Sequence, residues 1–287
     1  DLKVEEVFDV QDKIAEEMVS TIVGRVEADA LESIKTKRPD NMDSYDLVLQ
    51  GLEYAKKGNV MKENTQKAVE LFEKAIELEP SYARAHAWRA CTLSNLADWE
   101  ESPDPKIFEN AFKSIQLALE LDSNEPEVHR IMGALKLWHE RDHEMARYHF
   151  EKARELCPSD VFIISRYAIM LIYFGEFDRA LEELERAKRL DPFSHDLLFG
   201  PEAICHYWLD NPEVALQTFK KVKVKKNFLF YIALANKKSG NNDTASENLK
   251  EAYALTGMDN DSFVGSQPFK DQELTSKLKS ELSNITV

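Results

Sequence analysis

Residues 161–194 read VFIISRYAIMLIYFGEFDRALEELERAKRLDPFS, and this stretch decides the fold. Its second half carries a signature of two small residues around a large apolar one, followed by a proline: Ala180, Leu184, Ala187 and Pro192. Small side chains let two helices approach closely, and the apolar side chain fills the gap between them. Proline cannot continue a helix, so it ends the unit. The stretch therefore predicts two antiparallel helices joined by a turn at Gly175.

The same signature recurs along the chain. Clear copies lie at Ala68, Phe72, Ala75, Pro80 and at Ala146, Phe150, Ala153, Pro158, and weaker copies begin at Ala111, Ala215 and Ala245. Successive lead alanines are 43, 35, 34, 35 and 30 residues apart. A period near 34 is typical of stacked helical hairpins rather than of a closed globule. The sequence therefore predicts an all-α chain of about six hairpins.

These copies resemble the tetratricopeptide repeat, a helix-turn-helix unit of 34 residues. The resemblance implies a right-handed α-solenoid over residues 43–257, with an N-terminal helix and linker in 1–42 and a capping helix in 258–287. Three copies depart from the pattern, the first of them through about five extra residues in its turn, near residues 59–64. Another has a long, acidic turn near residues 98–106, and a third has Pro201 inside its first helix. Pro201 predicts a kink or a late helix start at that position.

A second resemblance concerns the flanks of the repeats. The run VFDVQDKI at residues 7–14 is similar to the end of a TolB-like domain, and so are DSYDL at 43–47, Gly51 and PFKD at 268–271. In bacterial signalling proteins such regions are attached to class III adenylate or guanylate cyclases, or to winged-helix regulators. The resemblance implies that this chain is the repeat region of a longer protein. A helix is expected over residues 9–35, and no catalytic residue is carried over.

Composition excludes several classes of partner. The formal net charge is −15 and the pI is near 5.0, which argues against nonspecific binding to nucleic acid or to anionic membranes. Three separated cysteines form no disulfide framework or paired metal motif, which favours a cytoplasmic protein. No apolar stretch of about 18 residues is present, so no membrane span is expected. No cofactor is expected either.

Two short motifs suggest metal chemistry. The run His139-Glu140-Arg141-Asp142-His143 matches His-Glu-x-x-His, which would support a metal-dependent hydrolase if it lay on one continuous helix. The repeat frame instead predicts a turn there. The acidic run at residues 259–261 hints at a calcium loop, but Phe263 stands where a ligand is needed. We expect no metal at either place.

The stronger functional signal is the inner, concave face that the first helices form in such repeats. The frame places ten candidate partner-binding residues there: Arg84, Asn95, Arg130, Trp138, Phe162, Ile169, Tyr173, Tyr207, Trp208 and Phe230. Six of them are aromatic and would form a continuous strip. Exposed aromatic side chains mark binding surfaces, although packing between helices or against the ends of the chain is the alternative.

We therefore expect a non-catalytic protein–protein interaction or regulatory domain. It would bind an extended or helical apolar segment along the aromatic strip. That segment could belong to the protein's own upstream domain or to a second protomer. A structural dimerisation scaffold is the alternative from another class.

Overall fold

The structure is a computed structural model that describes residues 41–58, 61–97, 99, 104–193 and 196–286. Within these residues the chain is all-α, with no strand, as the repeat spacing predicts. None of their helices combines the length and apolarity needed to cross a membrane. The described chain divides into two compact units, residues 41–158 and 159–286.

The first unit consists of three helical hairpins. Their helices pair as α1 with α2, α3 with α4 and α5 with α6. The bounds are α1 Met42–Gly58, α2 Lys62–Leu78, α3 Ala83–Ala97, α4 Pro105–Leu121, α5 Pro126–Leu135 and α6 His143–Leu156, with a π-helical turn at Lys136–Glu140. The signature alanines of α2, α4 and α6 are fully buried, because they lie where the paired helices approach most closely.

The second unit begins with three further hairpins and ends with two more helices. The hairpins pair α7 with α8, α9 with α10 and α11 with α12. The bounds are α7 Val161–Tyr173, α8 Phe177–Leu190, α9 Asp196–Trp208, α10 Pro212–Phe219, α11 Leu229–Lys238, α12 Asn242–Thr256, α13 Asn260–Ser266 and α14 Gln272–Ser283, with a 3₁₀ turn at Lys226–Phe228. On α14, Leu278 and Leu282 are buried.

Local chemistry sets the helix ends. The Asp160 carboxylate accepts a hydrogen bond from Ile163 N at 2.8 Å and so caps α7. Pro105 and Pro126 occupy first-turn positions, where the missing amide hydrogen costs nothing. Gly175 has a φ of 76°, so it provides the left-handed turn between α7 and α8.

Helix α9 begins at Asp196 and includes Pro201, so a late helix start is wrong at this position. The helix predicted at residues 9–35 and its linker lie outside the described residues. The handedness of the repeats and the domain boundaries stay predictions.

Candidate partner-binding surfaces

A buried ion pair joins the second and third hairpins of the first unit. Arg84 on α3 donates from Nη2 to Glu125 Oε1 at 2.9 Å and from Nε to Oε2 at 3.2 Å. Arg84 is 6% exposed and Glu125 3%. Burial raises the pKa of the Glu125 carboxyl, and the charge of Arg84 opposes that rise. Arg84 is therefore a structural residue in this unit and is not exposed to a partner, contrary to the prediction.

Arg130 is buried in the same way. Its Nε and Nη2 atoms donate to Glu127 Oε2 at 2.8 and 2.6 Å. Its guanidinium carbon lies 4.9 Å from the centroid of the Trp88 ring, a cation–π contact. A buried cation needs such partners because it has lost its hydration. The prediction that Arg130 faces a partner therefore fails for the same physical reason.

Asn95 and Trp138 are the predicted residues of the first unit that remain half-buried. The amide of Asn95 lies 4.0 Å from the Cys91 sulfur, on the last turns of α3. Trp138 lies in the π-helical turn after α5. These two side chains are therefore partly exposed to solvent, and their contact with a partner stays a prediction.

The His-Glu-x-x-His run crosses a break between two helices, as predicted. The turn Lys136–Glu140 ends at Arg141, which has a left-handed φ of 58°, and His143 begins α6. His139 Nε2 lies 2.6 Å from the Ser94 hydroxyl. In the described ranges, no three His, Cys, Asp or Glu side chains are grouped so that they could hold a metal ion. The motif therefore lacks the continuous helix that its chemistry requires.

In the second unit, three predicted residues form a stripe on α7. Phe162, Ile169 and Tyr173 are all half-buried, and their spacing places them on one face of the helix. The guanidinium of Arg166 lies 4.7 Å from the Phe162 ring centroid. These three are the predicted partner-binding residues of the second unit that are not fully buried.

The other predicted aromatic residues of this unit meet in one cluster. The Trp208 ring stacks on Phe177 with centroids 5.6 Å apart, and it meets the edge of Phe269 at 5.4 Å. Tyr173 meets the same Phe269 ring at 5.2 Å. Phe269 is 3% exposed. It therefore fills an aromatic pocket between a first helix of one hairpin and that of the next.

Tyr207 and Phe230 are covered by the C-terminal helices. Tyr207 is fully buried and its hydroxyl donates to the Glu281 carboxylate of α14. Burial is the main cause that raises the pKa of the Tyr207 hydroxyl, and the negative charge of the Glu281 carboxylate raises it further. Phe230 stacks on Phe263 of α13 with centroids 4.0 Å apart. Tyr207, Trp208 and Phe230 therefore pack against the C-terminal part of the chain, as the alternative in the sequence analysis proposed.

The segment between α13 and α14, residues 267–271, contacts the C-terminal end of α7 directly. The Lys270 amide donates to the Tyr173 carbonyl at 2.9 Å, and the Tyr173 hydroxyl donates to Gln267 Oε1 at 3.1 Å. The Lys270 ammonium lies 5.3 Å from the Phe174 ring centroid. A short non-helical segment is therefore bound by main-chain, aromatic and cation–π contacts.

Trp138 belongs to the first unit, and the other five aromatic residues of the predicted strip belong to the second. A continuous strip over both units stays a prediction.

Sequence reasoning missed one pair of groups. His129 Nδ1 lies 3.0 Å from His149 Nδ1, with both rings buried in the first unit. The Ser123 carbonyl, 3.0 Å from His129 Nε2, can only accept, so His129 carries its hydrogen on Nε2. His149 then donates from Nδ1 to His129 Nδ1. The signal in the sequence was the presence of two histidines on facing helices of one hairpin.

Comparison with known proteins supports the repeat assignment. A family model described as tetratricopeptide repeat matches residues 71–102, which include the end of α2 and all of α3. No curated protein matches the chain in sequence. The region is thus supported as tetratricopeptide-like by one sequence match.

Several solved structures are similar in fold. PilW, a type IV pilus biogenesis factor, has a TM-score of 0.54 and 19% identity, over 75% of this chain and 94% of its own. A tetratricopeptide repeat protein from Parabacteroides merdae has a TM-score of 0.51 and 14% identity, over 98% of this chain and 96% of its own. Human IFIT1, solved as a dimer with PPP-AAAA, gives 0.55 and 18%, over 77% of this chain and 53% of its own. At these identities the likeness concerns the fold, which is that of an all-α tetratricopeptide-repeat solenoid.

Proposed function

We propose that this chain is a non-catalytic protein-interaction region that binds a partner segment on the inner side of its first helices. One observation carries the proposal. The first helix α7 already holds an extended segment through a main-chain hydrogen bond from Lys270 and through an aromatic ring, Phe269. A surface that binds one such segment has the chemistry to bind another.

The accessible side chains define where a partner would contact the chain. They are Asn95 and Trp138 in the first unit and Phe162 and Ile169 in the second, whereas Tyr173 is already contacted by residues 267–271. Aromatic and amide side chains of this kind supply large contact area together with adaptable hydrogen bonds. The partner is accordingly an apolar peptide or protein segment, from the upstream domain of the same protein or from a second protomer.

The flanking motifs support a bacterial signalling context in the cytoplasm. Residues 7–14, 43–47 and 268–271 are the positions that resemble regions attached to nucleotide cyclases or winged-helix regulators. Detection of either domain in the same reading frame of the gene tests this part of the proposal. A reading frame that encodes neither domain would contradict it.

The binding site is tested with peptides selected from a display library for binding to the full chain. Ile169→Ala and Asn95→Ala each remove a half-buried inner side chain and should weaken binding of the selected peptides at least about tenfold, measured by fluorescence anisotropy. Leu117→Ala is the matched control, because Leu117 is 40% exposed on the second helix α4. It should leave the affinity unchanged.

The proposal would be contradicted if the selected peptides kept their affinity for Ile169→Ala and Asn95→Ala but bound Leu117→Ala more weakly. Sedimentation at two protein concentrations tests the dimer-scaffold alternative. A stable dimer that binds no selected peptide would favour that scaffold instead.

A further inference from the structure

The pocket that holds Phe269 is lined by aromatic rings and a main-chain carbonyl group. Two rings from different hairpins, Tyr173 and Trp208, contact the Phe269 ring at 5.2 and 5.4 Å. Beside the pocket the Tyr173 carbonyl accepts a hydrogen bond from the next residue, Lys270. These groups together contact an aromatic side chain and the main-chain amide of the residue that follows it.

The residue after Phe269 is a lysine, Lys270, whose ammonium group makes a cation–π contact. The Lys270 ammonium lies 5.3 Å from the Phe174 ring centroid, and the Lys270 residue itself is exposed. The formal charge of the whole chain is −15, so a basic ligand is also favoured over long range. An acidic residue at this position would lose both contributions.

We propose that this pocket is a peptide-binding site that residues 267–271 fill in cis, and that its external ligand is a peptide in which an aromatic residue precedes lysine or arginine. The proposal rests on the proposed function and adds the ligand class and the cis competitor. Because an external peptide can bind only while the segment is out of the pocket, its apparent affinity equals the intrinsic affinity multiplied by the fraction of time for which the pocket is empty.

Release of the segment does not require the capping helix to detach. Helix α14 is held separately by Leu278 and Leu282, which are buried, and α13 by the stacking of Phe263 on Phe230. The segment between them is non-helical, and Lys270 and Asp271 are exposed. Exchange of this segment against an external peptide is therefore a local event.

The test uses the full chain and a labelled synthetic peptide, SQPFKDQ, which copies residues 266–272. The wild-type chain should bind it weakly. The variant Pro268→Gly/Phe269→Ser removes the ring and loosens the segment, so it should bind the peptide at least about tenfold more tightly. A peptide with alanine in place of its phenylalanine is the control and should bind neither protein. Glu273→Ala, at an exposed position in the first turn of α14, should leave the peptide affinity at the wild-type value.

A measurement on the wild-type chain avoids any effect of substitution on folding. Saturating peptide should accelerate hydrogen exchange of the Lys270 amide, which donates to Tyr173, while the amides of α7 and α9 keep their protection. Equal affinity for wild type and variant, or unchanged exchange at Lys270, would overturn the proposal. Concentration-dependent dimers that the peptide dissolves would assign the pocket to a second copy, and so would also overturn it.

The two proposals fail in distinguishable ways. If SQPFKDQ binds no form of the protein while library-selected peptides still depend on Asn95 and Ile169, residues 267–271 are only a cap and the interaction function stands. If the selected peptides are insensitive to those side chains but SQPFKDQ binds the variant, the Phe269 pocket stands alone.

Discussion

His129 and His149 share a hydrogen bond between their Nδ1 atoms at 3.0 Å, inside the last hairpin of the first unit. This geometry requires at least one of the two nitrogens to lack a hydrogen, so the two rings cannot both carry a positive charge. Burial is the main cause that lowers the pKa of His149 to about 4, and the neighbouring His129 lowers it further. Burial also lowers the pKa of His129.

The first prediction follows from the sign of these shifts. The unfolded chain binds protons at the histidines below about pH 6.5, whereas folded His149 stays neutral down to about pH 4. The free energy of unfolding should thus be insensitive to the pair above about pH 6.5 and should fall as the pH decreases from 6.5 to 4. Urea denaturation at several pH values measures this fall.

The variant His149→Gln serves as the comparison for that experiment. Glutamine keeps a hydrogen-bonding side chain and does not titrate, so the decrease between pH 6.5 and 4 should be smaller than in the wild type. The decrease that remains should come from His86, His129, His139 and His206, whose pKa values are lowered mainly by burial. An identical pH profile for both proteins would contradict the assignment.

The second prediction concerns the ion pair of Arg84. Arg84→Met leaves the buried Glu125 carboxylate without its cation and should lower the free energy of unfolding by about 3–5 kcal/mol. Adding Glu125→Gln removes the stranded charge, so the double variant should be more stable than Arg84→Met alone. The loss is measured by chemical denaturation followed by circular dichroism.

Lys113→Met is the matched control for the ion pair. Its ion pair with Glu109 has an N–O distance of 2.6 Å, but both side chains are exposed. Loss of this pair should change the free energy of unfolding by about 1 kcal/mol or less. Similar losses for Arg84→Met and Lys113→Met would show that burial does not decide the strength of the Arg84 pair.

The third prediction concerns Gly51 on α1. A Cβ atom at this position would lie 2.6 Å from Cε1 of Phe72, whose side chain is fully buried. Gly51→Ala should therefore lower the free energy of unfolding by about 1–3 kcal/mol, despite the higher helix propensity of alanine.

Gly265 in α13 offers the opposite case for the same substitution. A Cβ added there meets no atom within 4 Å, and its φ is not in the left-handed region. Gly265→Ala should raise the free energy of unfolding by up to about 1 kcal/mol. A destabilised Gly265→Ala, or a stabilised Gly51→Ala, would contradict the helix spacing of the structure. Thermal denaturation of both variants gives the comparison.

The fourth prediction concerns the cap of α7, the helix that carries the half-buried stripe. Asp160→Ala removes the acceptor for Ile163 N and should lower the free energy of unfolding by about 1 kcal/mol. Asp160→Asn keeps an oxygen acceptor and should retain most of the stability. Equal losses for the two variants would argue that the charge of Asp160, and not its hydrogen bond, stabilises the helix.

The sequence by itself determined the hairpins. Small residues at Ala180 and Ala187 with Leu184 between them are a local pattern, and the helices that they imply are present as α8 and its partner α7. The break in the His-Glu-x-x-His run was predictable for the same reason, since it follows from the repeat frame. Local propensity and helical periodicity act over a few residues, so they can be read along the chain.

Tertiary structure decided which inner-face residues are accessible. Arg84 is buried by Glu125, 41 positions away, and the Tyr207 hydroxyl is covered by Glu281, 74 positions away. Burial depends on the partner that arrives from a distant part of the chain, and no local pattern specifies that partner. The repeat frame could therefore predict which side chains lie on the first helices, whereas only the packing of the C-terminal segment determined that Phe269 lies against Tyr173 and Trp208.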